Sequence, residues 1–134
     1  MALSLSLKNK CGDVVADSVD SGSTKSSGYI EIRDGVRPST VEDTATGKVL
    51  VTITLSNPAF TDFLNGTAAA NPTSPTAISE TGTATWFRLY DRDDNGILDG
   101  DISDSNGNGH LILDNTSLVV GGSISITSLQ LIFG

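Results

Sequence analysis

Tyr29-Ile30-Glu31-Ile32-Arg33-Asp34-Gly35 decides the fold. Tyr29, Glu31 and Arg33 alternate with Ile30 and Ile32, the period of a half-buried strand, and Asp34-Gly35 supplies a turn. The same period returns at Val49, Val51, Ile53 and Leu55, which alternate with Leu50, Thr52, Thr54 and Ser56. Asn57-Pro58 ends this second strand, because proline has no ladder donor and biases the residue before it away from helix. Residues 83–90 give a third strand, with Trp86, Arg88 and Tyr90 on one side and Thr85, Phe87 and Leu89 on the other. A turn at Asp94-Asn95-Gly96 leads into Ile97-Leu98-Asp99, and a second Asn/Gly turn over 104–109 leads into His110-Leu111-Ile112-Leu113; both read as hairpins. In the last strand Ile124 and Ile126 keep one phase while Leu129, Leu131 and Phe133 keep the opposite one. A bulge or bend near Thr127-Ser128 would restore the core phase, as would a strand that crosses between two sheets.

Upstream the period changes. Leu7, Cys11, Val14, Val15 and Val19 fall at helical spacing, so residues 7–20 read as one short amphipathic helix. Ser4 or Ser6 is placed to cap its start, and Gly22 with the Ser/Gly-rich stretch that follows stops it. Gly12 inside the helix costs about 1 kcal/mol relative to alanine, so the helix depends on packing, and the small residue allows a close backbone approach. Cys11 on this helix reads as a buried structural thiol.

Residues 61–82 are the least patterned part, rich in Asn, Pro and small residues, with one short strand expected near 76–78. A loop of this length is either a mobile surface excursion or a functional arm. About seven short strands separated by turn signals, plus one helix, predict a mainly β protein: a single β-sandwich domain over 1–134, jelly-roll or immunoglobulin-like, with a short N-terminal α-helix.

Composition agrees. The chain has 134 residues, 37 % hydrophobic and only 18 % charged, with Ser and Thr about a quarter of the total, a balance usual where β-branched and turn residues dominate. A formal net charge of −8 repels polyphosphate, so nucleic acid is not expected as a partner. The single cysteine excludes an internal disulfide. The opening Met1-Ala2-Leu3-Ser4-Leu5-Ser6-Leu7 is too short for a signal-peptide apolar region, and no stretch approaches the roughly 20 apolar residues of a membrane-spanning helix.

One stretch has the spacing of a metal site. In Asp91-Arg92-Asp93-Asp94-Asn95-Gly96-Ile97-Leu98-Asp99, oxygen ligands at Asp91, Asp93, Asn95 and Asp99 and the turn glycine Gly96 match the first positions of a calcium loop. The bidentate Glu of the twelfth position is Ile102, however, and a strand precedes the loop where a helix belongs. The preferred reading is a hairpin turn whose Asp, Asn and Gly residues suit the backbone geometry, with no metal or other cofactor. The only histidine, His110, follows a turn and reads as exposed, and no nucleophile elbow, P-loop or zinc spacing occurs, so no catalytic residue is assigned and no enzyme is expected. Trp86 reads as a core or interface residue, with Arg88 on its face to stack on the ring or pair with an acidic neighbour.

Four signatures, in order, carry a resemblance: Ile30-Glu31-Ile32-Arg33-Asp34-Gly35 with Pro38, Ala45-Thr46-Gly47-Lys48-Val49-Leu50, Leu55-Ser56-Asn57-Pro58-Ala59-Phe60, and Gly82-Thr83-Ala84-Thr85-Trp86-Phe87-Arg88. Together they resemble a family of small, all-β virion proteins of tailed bacteriophages. The resemblance implies a structural part of a particle, of the head decoration (cement) type, made in the host cytoplasm and bound to the capsid exterior. The major capsid protein would be its partner, with self-association on the particle. Candidate capsid contacts are the N-terminal arm over 1–7, whose alternating Leu3, Leu5 and Leu7 are suited to adding a strand to a neighbour's sheet edge, and the 61–82 loop with Pro72 and Pro75. The rival expectations are a calcium-dependent adhesion or carbohydrate-binding module using the Asp-rich stretch, and a tail or baseplate component of the same kind of particle.

Overall fold

The computed structural model describes residues 2–126 and 128–132. Met1 of the expected arm, Thr127 at the expected bulge and Phe133 of the last expected strand lie outside the described residues. The chain is mainly β with one N-terminal helix. Helix α1 (Leu5–Val19) is followed by β1 (Tyr29–Arg33), β2 (Val49–Thr54), β3 (Thr67–Ala69), β4 (Thr76–Ala77), β5 (Gly82–Thr83) and β6 (Trp86–Tyr90). Then come β7 (Gly96–Ser103), β8 (Leu111–Ile112), β9 (Ser117–Leu118), β10 (Ser123–Ile124) and β11 (Gln130–Ile132).

The alternating strands make one sheet in the order β2-β1-β6-β7-β8, curled as a half-barrel. Its inner face follows from the period of two. Ile30 pairs with Ile53 on one side and Leu89 on the other, and Ile32 with Val51 and Phe87. All six are fully buried. Burying such side chains contributes about 1.5–3 kcal/mol each, and this cluster is the centre of the core.

What covers the curled sheet differs from the expected sandwich, in which a second sheet of similar size would face the first. Here the cover is α1 and three two-stranded ladders, β3–β11, β4–β10 and β5–β9. These ladders are pieces of one interrupted antiparallel ribbon. Gly82 opposes Leu118 and Ala77 opposes Ser123, so the two ladders are in step; Ala69 opposes Gln130, one residue out of step. The opposite phases of Ile124 and Leu131 follow from this, since they belong to different ladders. The ribbon also links the two edges of the sheet. Ser79 and Glu80 donate backbone N–H groups to the Leu50 carbonyl of β2, while Leu129 bridges to Leu111 of β8. Residues 61–82 are therefore no free loop: the expected strand near 76–78 is β4, and β3 and β5 flank it.

The second expected hairpin is also corrected. β8 runs parallel to β7, with Ile102 opposite Leu111. The Asn/Gly turn folds back alongside β7, where Gly109 donates to Ser103 Oγ and His110 donates its N–H to the Asp101 carbonyl.

Helix α1 starts two residues earlier than the apolar spacing predicts, and Ser4 caps it by accepting the Leu7 N–H at 3.2 Å. Its packed face differs from the expected one. Gly12, Ala16 and Val19 are buried, while Leu7 and Val14 are exposed and Cys11 is half-buried rather than buried. The cause is Phe63, whose ring lies so close to Gly12 that a Cβ there would overlap it. Polar side chains of α1 and its cap then hold the strandless segment after β2: Asn9 accepts from Gly66 N–H, Asp13 from Phe63 N–H and Asp20 from Ala59 N–H. Burial raises the Asp20 carboxyl above its ordinary value.

Candidate functional site

The outer face of the sheet carries the polar chemistry that the alternation placed there. Trp86 is buried, donates Nε1–H to the Asp34 carbonyl at 3.0 Å, and lies between the guanidinium groups of Arg33 and Arg88, 5.9 and 5.6 Å from its ring. Arg88 makes a two-pronged pair with Asp99, 2.6 Å from Nε and 2.9 Å from Nη2, and the two side chains are only 6 % and 5 % exposed. The bond to Asp99 holds the Arg88 pKa above its already high ordinary value. Alongside, Tyr29 stacks on Tyr90 with ring centres 4.7 Å apart, and Tyr90 donates to Glu31, which also accepts from Arg33. Burial is the main cause raising both tyrosine pKa values, so these hydroxyls stay protonated and donating.

A strap of chain over residues 36–47 closes this face. Arg88 reaches through to it, donating to the carbonyls of Asp43 and Thr40, while Arg37 of the strap pairs with Asp101. The ends meet where Gly35 and Gly47 both take positive φ. The expected stacking and acidic pairing of Arg88 thus occur together, and the third element, the strap, had no sequence signal beyond its two glycines.

The Asp-rich stretch forms a turn between β6 and β7. Asp91 spends its carboxylate inside the turn, accepting the N–H groups of Asp93 and Asn95 at 2.9 Å and the Asn95 amide at 3.1 Å. Asp93 accepts the backbone N–H groups of Ser23 and Thr24, which hold its carboxyl below the usual range. Asp94 accepts from Lys25 and from Tyr29, with the same direction of shift. Asp99 is taken by Arg88 on the sheet face. The carboxylates of Asp91, Asp93 and Asp99 are thus taken by different protein donors, the Asn95 amide donates to Asp91, and among the described residues no three His, Cys, Asp or Glu side chains converge to hold a cation. The turn pins the segment after α1. Calcium at millimolar concentration, or its chelation, is expected to leave the melting temperature unchanged. A calcium-dependent rise of several degrees would show a site that binds only the native state.

The candidate contact residues are all at the surface. Leu3, Leu5 and Leu7 are 40 %, 50 % and 45 % exposed, and Pro72 and Pro75 are exposed as well. The strand-adding arm is corrected, because Leu5 and Leu7 are in the first turn of α1 and cannot alternate across a strand. Near the middle of the helix, exposed Val14 and Ile132 flank an apolar cleft of about 500 Å³ floored by Phe63, Phe87, Leu98 and Leu131. His110 is exposed, its Nδ1 accepting the Asp101 N–H at 3.4 Å.

Comparison with protein-family models, with curated proteins and with solved structures gives no match to this chain. No helix among the described residues is long and apolar enough to cross a membrane.

Proposed function

We propose that this chain is a structural protein of a tailed-phage virion, a head decoration (cement) protein that binds the outside of the major capsid shell and stabilises it. The observation that carries the reading is where the four ordered signatures lie. They supply Ile30, Ile32, Leu50, Leu55, Ala59, Phe60, Trp86 and Phe87, all buried, so the resemblance to that family rests on the residues that build the scaffold. A net charge of −8 suits a soluble particle exterior and opposes a role on the packaged nucleic acid.

The mechanism is mechanical and needs no catalytic residue. A protein that binds the assembled shell and not the free subunits stabilises assembly by mass action, and many copies add weak contacts together. Leu5 and Leu7 in the first turn of α1, with Leu3 just before its Ser4 cap, are the contact residues, exposed apolar side chains grouped at the helix start. Pro72 and Pro75, between β3 and β4, are the second contact.

The test is the copy number of this chain relative to the major capsid protein in purified particles, by quantitative mass spectrometry. Hundreds of copies are expected. A few copies would move the protein to the tail or baseplate, and none would remove the virion reading. Serine at positions 3, 5 and 7 is expected to change stability by no more than about 0.5 kcal/mol, since these side chains are exposed, yet to lower occupancy on the shell at least tenfold. Unchanged occupancy would remove the leucines from the contact.

A further inference from the structure

We infer that the cleft between β7 and β11 is a slot for one added strand, in which an extended segment of a partner protein, apolar on its inward side and basic on its outward side, continues the sheet where β8 stops. The inference stands independently of the virion reading.

β8 is what separates the two flanks. Its Leu111 pairs with Ile102 of β7 on one side and bridges to Leu129, next to β11, on the other, which sets β7 and β11 two strand spacings apart, roughly 9.5 Å. β8 covers only Leu111–Ile112, and the chain before His110 folds away, with Gly109 donating to Ser103 Oγ. Both flanks run on past that point. β7 extends back to Gly96 and β11 forward to Ile132, and the cleft of about 500 Å³ lies between them.

Register decides which backbone groups line the gap. The Ile102 N–H goes to the Thr85 carbonyl, so Gly100 and Leu98 also face β6, while Asp101 and Asp99 face the gap. Asp101 is taken by His110, which donates its N–H to the Asp101 carbonyl and accepts the Asp101 N–H at Nδ1. On β11 the Leu129 carbonyl accepts from Ala70, so Leu131 faces β3 and Ile132 faces the gap. No described group hydrogen-bonds to the N–H or C=O of Asp99 or of Ile132. The occupant follows from these groups, since another backbone supplies donors and acceptors at strand spacing to both flanks and an apolar small molecule supplies none.

The side chains set its sequence. Leu98 lies opposite Leu89 on the inner face, yet it is only half-buried where Leu89 is fully buried, so the core lacks a cover here. A strand in the slot sets alternate side chains inward over Phe63 and Phe87 and the others outward beside Glu42 of the strap. Glu42 is exposed and makes no ion pair with a described residue, Asp99 is neutralised by Arg88, and no lysine or arginine lines the cleft. Basic outward residues complement that rim on a chain of net charge −8. From Ile97 to Asp101 the flank rises roughly 13 Å, room for about three residues of added strand.

The probe is a capped hexapeptide of alternating lysine and valine, titrated calorimetrically into the native chain, with amide hydrogen exchange alongside. Saturable binding is expected, with slowed exchange at the Asp99 and Ile132 amides. The same peptide methylated on alternate backbone nitrogens keeps its charge and side chains but loses donors, and is expected to bind about tenfold more weakly or worse. Glu42→Lys, at an exposed position, is expected to melt as the native chain does, to weaken the lysine peptide severalfold and to strengthen one with glutamate in place of lysine. Absence of saturable binding, equal binding of the methylated peptide, or protection confined to other strands would each overturn the inference. Decanoate binding in the cleft without peptide binding would overturn it too, and make the cleft a pocket for small apolar molecules.

Discussion

Methionine at Arg88 is expected to lower the stability of this chain by about 3–5 kcal/mol, the cost of leaving a buried charge without its partner. Asp99 is 5 % exposed and has its two oxygens on the Arg88 guanidinium, so removing the cation leaves a carboxylate that water cannot reach. The same change removes the Arg88 hydrogen bonds to the carbonyls of Asp43 and Thr40, of which Thr40 keeps the Asp43 N–H, and takes one cation from the Trp86 ring. At roughly 4 °C per kcal/mol for a chain of this length, a thermal melt should fall by about 12–20 °C. The double variant Arg88→Met with Asp99→Leu separates the causes. Replacing both members of a buried pair by apolar residues is often close to neutral. Recovery of most of the loss would show that the single variant failed through the abandoned carboxylate; no recovery would show that anchoring the strap is the larger part.

Alanine at Gly47 is the second large effect. Gly47 has φ +78°, where an L side chain is strained, and an added Cβ would overlap the Asp34 carbonyl oxygen, a backbone atom with little room to move. Asp34 is itself committed: its carbonyl accepts from Trp86 Nε1 and its carboxylate from the Lys48 N–H at 2.6 Å. Left-handed strain together with the overlap predicts a loss of about 2–4 kcal/mol, read by chemical denaturation. Hydrogen exchange should locate the damage at the strap and the start of β2. An unchanged midpoint would mean that the two ends of the strap are not held together as tightly as the geometry indicates.

Much of the five-stranded sheet was legible because its strands are long enough to show a period. Ile30 and Ile32, Val51 and Ile53, and Phe87 and Leu89 declare an inner face by alternation alone, and the turns at Asp34-Gly35 and Asp94-Asn95-Gly96 declare themselves by composition. Ser4 as the helix cap was legible for the same local reason. The packed face of α1 was legible in part: buried Val19 and the close approach at Gly12 follow the sequence reading, whereas Leu7 and Val14, selected as large apolar residues, are exposed because Phe63 packs on the side of Gly12. The ribbon was hidden for a different reason. Its strands are two or three residues long, too short for any period, and each pairs with a partner 34 or more positions away, which no local signal encodes. Of the candidate site, the exposure of Leu3, Leu5 and Leu7 follows the sequence reading, while the partners that occupy Asp93 and Asp99 come from distant segments or neighbouring strands and had to be seen.

The ribbon that spans the mouth of the half-barrel imposes an order on synthesis. All five strands of the curled sheet precede Ser117 in the chain, whereas the second strand of the ribbon is made of β9, β10 and β11. A nascent chain can assemble the sheet and still expose the apolar inner face until the ribosome has delivered that final return strand. Closure then depends on pairings between segments far apart in sequence, which form slowly and leave apolar surface open to other chains meanwhile. The interval between finishing the sheet and closing it is therefore when this protein is most vulnerable to aggregation, and temperature during expression should govern its yield more than the stability of the finished fold does.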